Sequence, residues 1–160
     1  VPTQGDALAR IFRLHLAITG AGISELTETR VALERTSAAV AARQIDLQTL
    51  RDLTTTVHAM REANSIDEFN HLDTVFHVQL ARAVRSDLVA DLTVAIREAV
   101  REPIRTASEL MPEWSTFRLT LIADHERVLE AIANGDADAA AAAMEAHIRR
   151  AYKELAEALD

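Results

Sequence analysis

The chain contains no cysteine, which excludes disulfides, thiolate metal ligands and a cysteine nucleophile together. Glycine occurs four times and proline three times, while Leu and Ala dominate, so an all-helical fold is favoured. Aromatic residues are only 4% against 49% hydrophobic overall, which makes the core aliphatic and the chain too apolar to be disordered. No apolar run is long enough to cross a bilayer, and the N-terminus lacks a basic stretch followed by an apolar one. A cytoplasmic protein with no membrane partner is therefore the expectation. Positive charge is in deficit: the formal net charge of −8 argues against the chain gripping a phosphate backbone by itself. What is present is 160 residues without an internal repeat or linker, read as a single domain over 1–160 with a substantial core.

Helical periodicity divides the chain. After a loose leader, Val1 to Gly5, Asp6 can cap a helix to about Thr19 with Leu8, Ile11, Phe12, His15 and Ile18 on one face. Gly20-Ala21-Gly22 breaks it, and Ser24 can cap a second helix, Glu25 to about Arg43, in which Leu26, Arg30, Leu33, Ser37, Val40 and Ala41 share a face. Asp46 caps a third through about Ala63. The next runs to about Val84, and Arg85-Ser86-Asp87 opens another, with Leu88, Leu92, Ile96, Val100 and Ile104 as its stripe. Pro103 should kink or end that helix, and Met111-Pro112 is a further break. Trp114 to about Ala133 follows. Asn134-Gly135-Asp136 then reads as helix stop, turn and helix start before the alanine-rich last helix, Ala137 to about Leu159.

The chemistry-bearing residues lie on these inward faces. In the fourth helix Phe69, Leu72, Phe76 and Leu80 recur at helical spacing, and Asp73 and His77, one turn apart, point the same way on or beside that stripe. An inward carboxylate needs its charge compensated, either by a hydrogen bond to the histidine or by a divalent cation held jointly with it. His71 lies on the far side, toward solvent. His125 and His147 fall on the inward faces of the last two helices. Imidazoles and a carboxylate converging from several helices is the pattern that builds metal sites in bundles, and it suits Zn, Ni, Mn or Fe. Arg30 on an inward face either pairs with a core-edge acid such as Glu34 or forms a fork for a bound carboxylate. His15 and Arg118, the latter two turns before His125, complete the candidate effector-binding set of Arg30, His15, Arg118 and Glu34. No Gly-rich phosphate loop or G-x-S-x-G elbow occurs.

Four segments carry a family resemblance. Glu28-Thr29-Arg30-Val31-Ala32-Leu33-Glu34 with Ala38-Ala39-Val40-Ala41-Ala42-Arg43 resembles the opening motif of the FCD domain, the C-terminal effector-binding part of FadR-type GntR transcription regulators. Asp73-Thr74-Val75-Phe76-His77 matches the family's Asp-x-x-Phe-His segment. The run from Asp124-His125 to Gly135-Asp136 resembles its histidine-bearing helix and following turn, and Ala139 to Ile148 its closing motif. The order and spacing hold over nearly the whole chain.

The resemblance implies an antiparallel bundle of six or seven helices around a central metal and ligand cavity. It implies a divalent metal, zinc first, held by Asp73, His77, His125 and His147, with Arg30 clamping an effector carboxylate. It also implies a homodimer, and a winged helix-turn-helix half that contacts DNA and has no counterpart in these 160 residues. Where the family often has Gly-Asn after the Asp-x-x-Phe-His helix, this chain has Arg85-Ser86-Asp87, in which Asp87 can supply the helix cap. Two functions follow. One is an effector-sensing regulatory domain that binds a metal and a small carboxylate. The other is a mononuclear metal-dependent hydrolase or lyase acting on small organic acids. An enzyme would need a general base, for which only Glu34 and His15 offer themselves, so a sensor without catalytic residues is the expectation.

Overall fold

The computed structural model describes residues 4–19 and 23–158, and seven helices account for nearly all of them: α1 Gln4–Thr19, α2 Ile23–Gln44, α3 Leu47–Glu62, α4 Ile66–Ala83, α5 Asp87–Leu110, α6 Trp114–Ala133 and α7 Ala137–Glu157. Among the described residues there is no strand, and no helix is long and apolar enough to cross a membrane. The expected all-α bundle is thus present, in its seven-helix form. The break at Gly20-Ala21-Gly22 and the side chains of Asp6 and Ser24, expected as caps, lie outside the described residues.

Local chemistry sets most boundaries. Asp46 accepts a hydrogen bond from the Thr49 amide at 2.8 Å, Ser65 from Glu68 at 3.1 Å and Asp136 from Ala139 at 2.9 Å, each at the start of a helix. The expected cap at Asp87 is corrected: Ser86 is the N-cap of α5, accepting from the Val89 amide at 3.4 Å, and Asp87 is the first helical residue. The chain reaches Ser86 through Arg85 at φ 59°, a left-handed conformation in which a glycine would be at ease. At the other end of the bundle Gly135, at φ 70°, closes α6, and the Asp136 amide reaches back to the Ala131 carbonyl at 3.0 Å.

α2 is the central helix, packing on α4, α5, α6 and α7, with α7 its principal neighbour. Ala38 and Ala41 of α2 and Ala140 of α7 are fully buried, and such small side chains let two backbones approach closely. Phe69, Phe76, Leu80, Ile122, Met144 and Ile148 fill the centre. α4 packs on α2, α3 and α5, and α6 on α2, α3 and α7.

Two expectations about faces are corrected here. In α1 the buried position is Ala9, with Leu8, Phe12 and Leu16 half-buried, and Ile11, Leu14 and Ile18 stand exposed. The helix lies against α5, so its inner edge is rotated from the expected stripe. Pro103 does not end α5, which continues to Leu110. The proline is on the exposed side, while Ala99, Val100, Ala107 and Ser108 on either side of it are buried and hold the axis in place.

Candidate metal centre and effector cavity

Asp73 and His77 of α4, His125 of α6 and His147 of α7 come together in the centre of the bundle, each offering one ligand atom, and those atoms all lie within 4.8 Å of one another. The three histidines are buried and the side chain of Asp73 is 14% exposed. Asp73 Oδ1 stands 3.0 Å from His125 Nε2 and 3.6 Å from His77 Nε2, and His77 Nε2 meets His147 Nε2 at 3.3 Å. The His77 and His147 rings stack at 5.3 Å, and Phe76 packs edge-on against His125 at 4.6 Å.

A second ring of charge orients these ligands. Glu34 of α2 places Oε2 against His77 Nδ1, and its Oε1 accepts from Arg30 Nε at 2.6 Å. Asp124 Oδ2 faces His147 Nδ1 at 3.8 Å and is itself held by Arg150 Nε at 3.1 Å, with Arg127 on its other oxygen. Arg97 of α5, buried, donates to Asp73 Oδ2 and to Thr74 Oγ1, which leaves Asp73 Oδ1 free for the cluster. A carboxylate at Nδ1 favours the Nδ1–H tautomer and turns the Nε2 lone pair inward.

The donor set fits a metal ion for this reason. Glu34 at Nδ1 turns the Nε2 lone pair of His77 toward the centre, and His147 Nε2 meets it at 3.3 Å, with Asp124 3.8 Å from its own Nδ1. A cation shared between the two nitrogens satisfies both, as does an Nε2–H on His147. An added proton on His147 is disfavoured: burial, reinforced by the neighbouring His125, pushes its imidazole down to about 3. Burial likewise lowers His125 against the pull of Asp73. Burial would raise the Asp73 carboxyl, but Arg97 and the surrounding imidazoles outweigh it and hold it well below the ordinary value. Glu34 is held down in the same way by Arg30 and His77. The cluster can therefore hold a metal ion through three imidazole nitrogens and one carboxylate oxygen.

Beside it lies a cavity of about 20 Å³, bounded by Arg30, Asp73, Arg97 and His147 among others. Arg30 is 3% exposed, its guanidinium lies 5.4 Å over the Tyr152 ring, and its Nη2 has no hydrogen-bond partner. Asn70 Nδ2 and Tyr152 OH are likewise buried without one. Buried polar atoms without partners are uncommon, and several around one cavity give a polar ligand groups to bond.

Of the expected effector residues, Arg30 and Glu34 are at this centre, as a pair that bridges the cavity and the cluster. Arg118 is not: its guanidinium donates to the Ala63 carbonyl at 2.9 Å and to that of Arg61, tying α6 to the end of α3. His15 is exposed on α1 and does not border the cavity. His71 is exposed, as its place on the far side of α4 requires. Three residues at the centre were not anticipated. Arg97 follows Ile96 of the expected stripe and Asp124 precedes His125, so each stands one residue off a face read as apolar or metal-binding. Tyr152 is one turn beyond Ile148. An expected shortage of inward acids is thereby corrected, since both Glu34 and Asp124 are buried.

Seven helices around a buried histidine and aspartate cluster, with a guanidinium-lined cavity at its side, define a ligand-binding helical domain. The sequence model of the FCD domain matches residues 25–150, and the chain belongs to that family, the effector-binding regulatory domains of GntR-type transcription regulators. The chain is 31% identical over 137 residues to the HTH-type transcriptional regulator LutR of Bacillus subtilis (strain 168), a match covering 79% of this chain and 58% of that protein. Among solved structures, Streptococcus agalactiae GntR has a similar fold, with a TM-score of 0.66 at 23% identity over 82% of this chain and 58% of the other. The chain thus spans a little over half the length of these relatives.

Proposed function

We propose that this domain senses a small organic acid with the help of one divalent metal ion, zinc first and nickel, manganese or iron as alternatives. Asp73 Oδ1 and the Nε2 atoms of His77, His125 and His147 would hold the ion, which supplies a Lewis-acidic anchor for an anionic oxygen. The observation that carries the reading is the buried, unbonded Arg30 Nη2 beside four converging ligand atoms.

Charge balance supports an anionic effector. Glu34 is matched by Arg30 and Asp73 by Arg97, so a divalent ion brings charge that no nearby side chain offsets. Buried charge must be compensated, and a carboxylate bridging the ion and Arg30 offsets one of the two added charges. The same pairing supports binding without turnover. Glu34, Asp73 and Asp124 are each engaged by arginines, which leaves no inward carboxylate as a general base for the hydrolase or lyase alternative. In this reading the domain acts in the cytoplasm as a homodimer, and its ligand state governs a separate DNA-binding part of the regulator.

The test joins metal content to binding. The purified domain should carry about one divalent ion per chain, lost in Asp73→Ala and His147→Ala and kept in His71→Ala. Arg30→Ala should weaken binding of carboxylates by about ten- to a hundredfold, as measured by calorimetry with metal content intact. Arg30→Lys should recover only part of that, since an ammonium cannot form the fork. Parent-like binding by Arg30→Ala would make the arginine purely structural.

A further inference from the structure

The cavity is polarised along the helix axes. On α6, His125 is at the metal cluster, and Leu121, Phe117 and Trp114 line the cavity at successive turns away from it. On α7, His147 is followed by Ala151 and Leu155, and on α5, Arg97 is followed two turns later by Ile104. On α4, Phe69 lies one turn beyond Asp73. Eight residues of helix span about 12 Å, so α5, α6 and α7 step from charged groups to apolar ones over about that distance, and α4 makes the same step within one turn. The far end is a continuous aromatic wall. Phe69 meets Trp114 edge-on at 5.5 Å, and Trp114 meets Phe117 at 6.1 Å. Among the described residues no cation lines that end. Of its polar groups, Ser108 already donates to the Ile104 carbonyl at 2.8 Å, and the Asn70 amide beside Phe69 is uncharged.

We infer that the effector is an amphipathic monoacid: its carboxylate and an adjacent oxygen lie between Arg30 and the metal cluster, and an unbranched apolar tail runs between Phe69, Trp114 and Leu155. The inference rests on the acid-sensing reading above and narrows it, excluding acids that carry a second, remote carboxylate. Such a group would arrive, stripped of water, among aromatic side chains with no cation among the described residues to match its charge. The cavity of about 20 Å³ holds about one water, so the tail must part the wall. Trp114 and Ile104 are its half-exposed members, whereas Phe69, Phe117, Leu121 and Leu155 are buried. Trp114 is the only tryptophan in the chain, so its emission reports the tail directly.

The experiment titrates the zinc-loaded domain, by calorimetry and by Trp114 fluorescence, with 2-hydroxy acids from glycolate to 2-hydroxyhexanoate, and with 2-hydroxyadipate. Affinity should rise about fourfold per methylene, the ratio set by burying one such group. 2-Hydroxyhexanoate should bind at least about tenfold more tightly than 2-hydroxyadipate, which differs only by a charged end. Ile104→Lys, which places a cation at the half-exposed far end, should narrow that ratio. A flat ladder, a diacid that binds equally well, or a ratio untouched by Ile104→Lys would each overturn the tail assignment. Glycolate binding that disappears in Arg30→Ala would show the acid-sensing reading intact in that event. No binding by any of these acids would overturn both.

Discussion

Glu34 serves two neighbours at once, one oxygen on Arg30 and the other on the Nδ1 of His77. Glu34→Gln keeps the shape and removes the charge, so His77 loses the anion that makes its ring a better ligand. Metal affinity should fall about ten- to a hundredfold, the usual effect of removing such a support. Competition with a chromophoric chelator measures it, and an unchanged constant would mean that packing alone orients the ring. Residues of this kind were hardest to read in the sequence. The pairing of Arg30 with Glu34 could be weighed, because one turn separates them. Arg97, Asp124 and Tyr152 could not, because their partners come from other helices. Arg118 and His15 misled for a related reason. A helical wheel shows that a side chain is near an apolar face, but whether it turns into a cavity or toward a neighbouring carbonyl depends on the rotation of the helix in the assembled bundle.

Helices were more legible than their faces, because caps and breakers act within a few residues. Asp46 and Asp136 cap where the sequence places a start, and Gly135 ends α6. Pro103 does not end α5 because the buried neighbours that keep the helix continuous are set by tertiary packing. Arg85 offers a test at this scale. Its left-handed backbone costs a non-glycine residue about 1–2 kcal/mol, and Gly at that position also loses more freedom on folding, about 0.5–1 kcal/mol. Arg85→Gly should therefore raise stability by about 0.5–1 kcal/mol in urea unfolding, and any loss would mean that the arginine side chain makes a compensating contact.

The candidate metal cluster of Asp73, His77, His125 and His147 brings α4 together with α6 and α7. Chelation should therefore lower the melting temperature by separating these helices and exposing the facing lone pairs. An unchanged melt in excess chelator would mean the histidines satisfy one another. The metal-free domain should also be sensitive to acid. The His147 pKa falls from its ordinary value to about 3 on folding, so between about 6.5 and 3 the unfolded chain binds the extra proton. Stability is then full above that window and declines as pH falls through it. His125, Asp73 and Glu34 are lowered as well and add to the same direction. Melting curves across that range, with metal removed, check the sign.

At the scale of the whole molecule, the proposed homodimer predicts twice the chain mass in light scattering, because operators with two-fold symmetry are met by two-fold proteins. A mass of one chain at high concentration would place dimerisation outside these residues. Ile11, Leu14 and Ile18 of α1 and Leu88 of α5 are exposed in the single chain, so apolar surface remains to be covered. The fold class itself was open to sequence reading because composition and period act over the whole chain at once. The placement of α1 was not, since its partner α5 lies some seventy residues further along.

One consequence reaches across the molecule from the bridge that Glu34 makes. An acid that takes a share of Arg30 loosens its hold on Glu34, and Glu34 is the anion behind His77. The two binding events thus draw on one carboxylate, and thermodynamic reciprocity applies to them. Whatever factor the acid imposes on the metal dissociation constant, the metal must impose on that of the acid. On the proposed reading, a cell poor in the ion would be deaf to the metabolite by that factor, and the domain would report the two concentrations jointly and not either one alone.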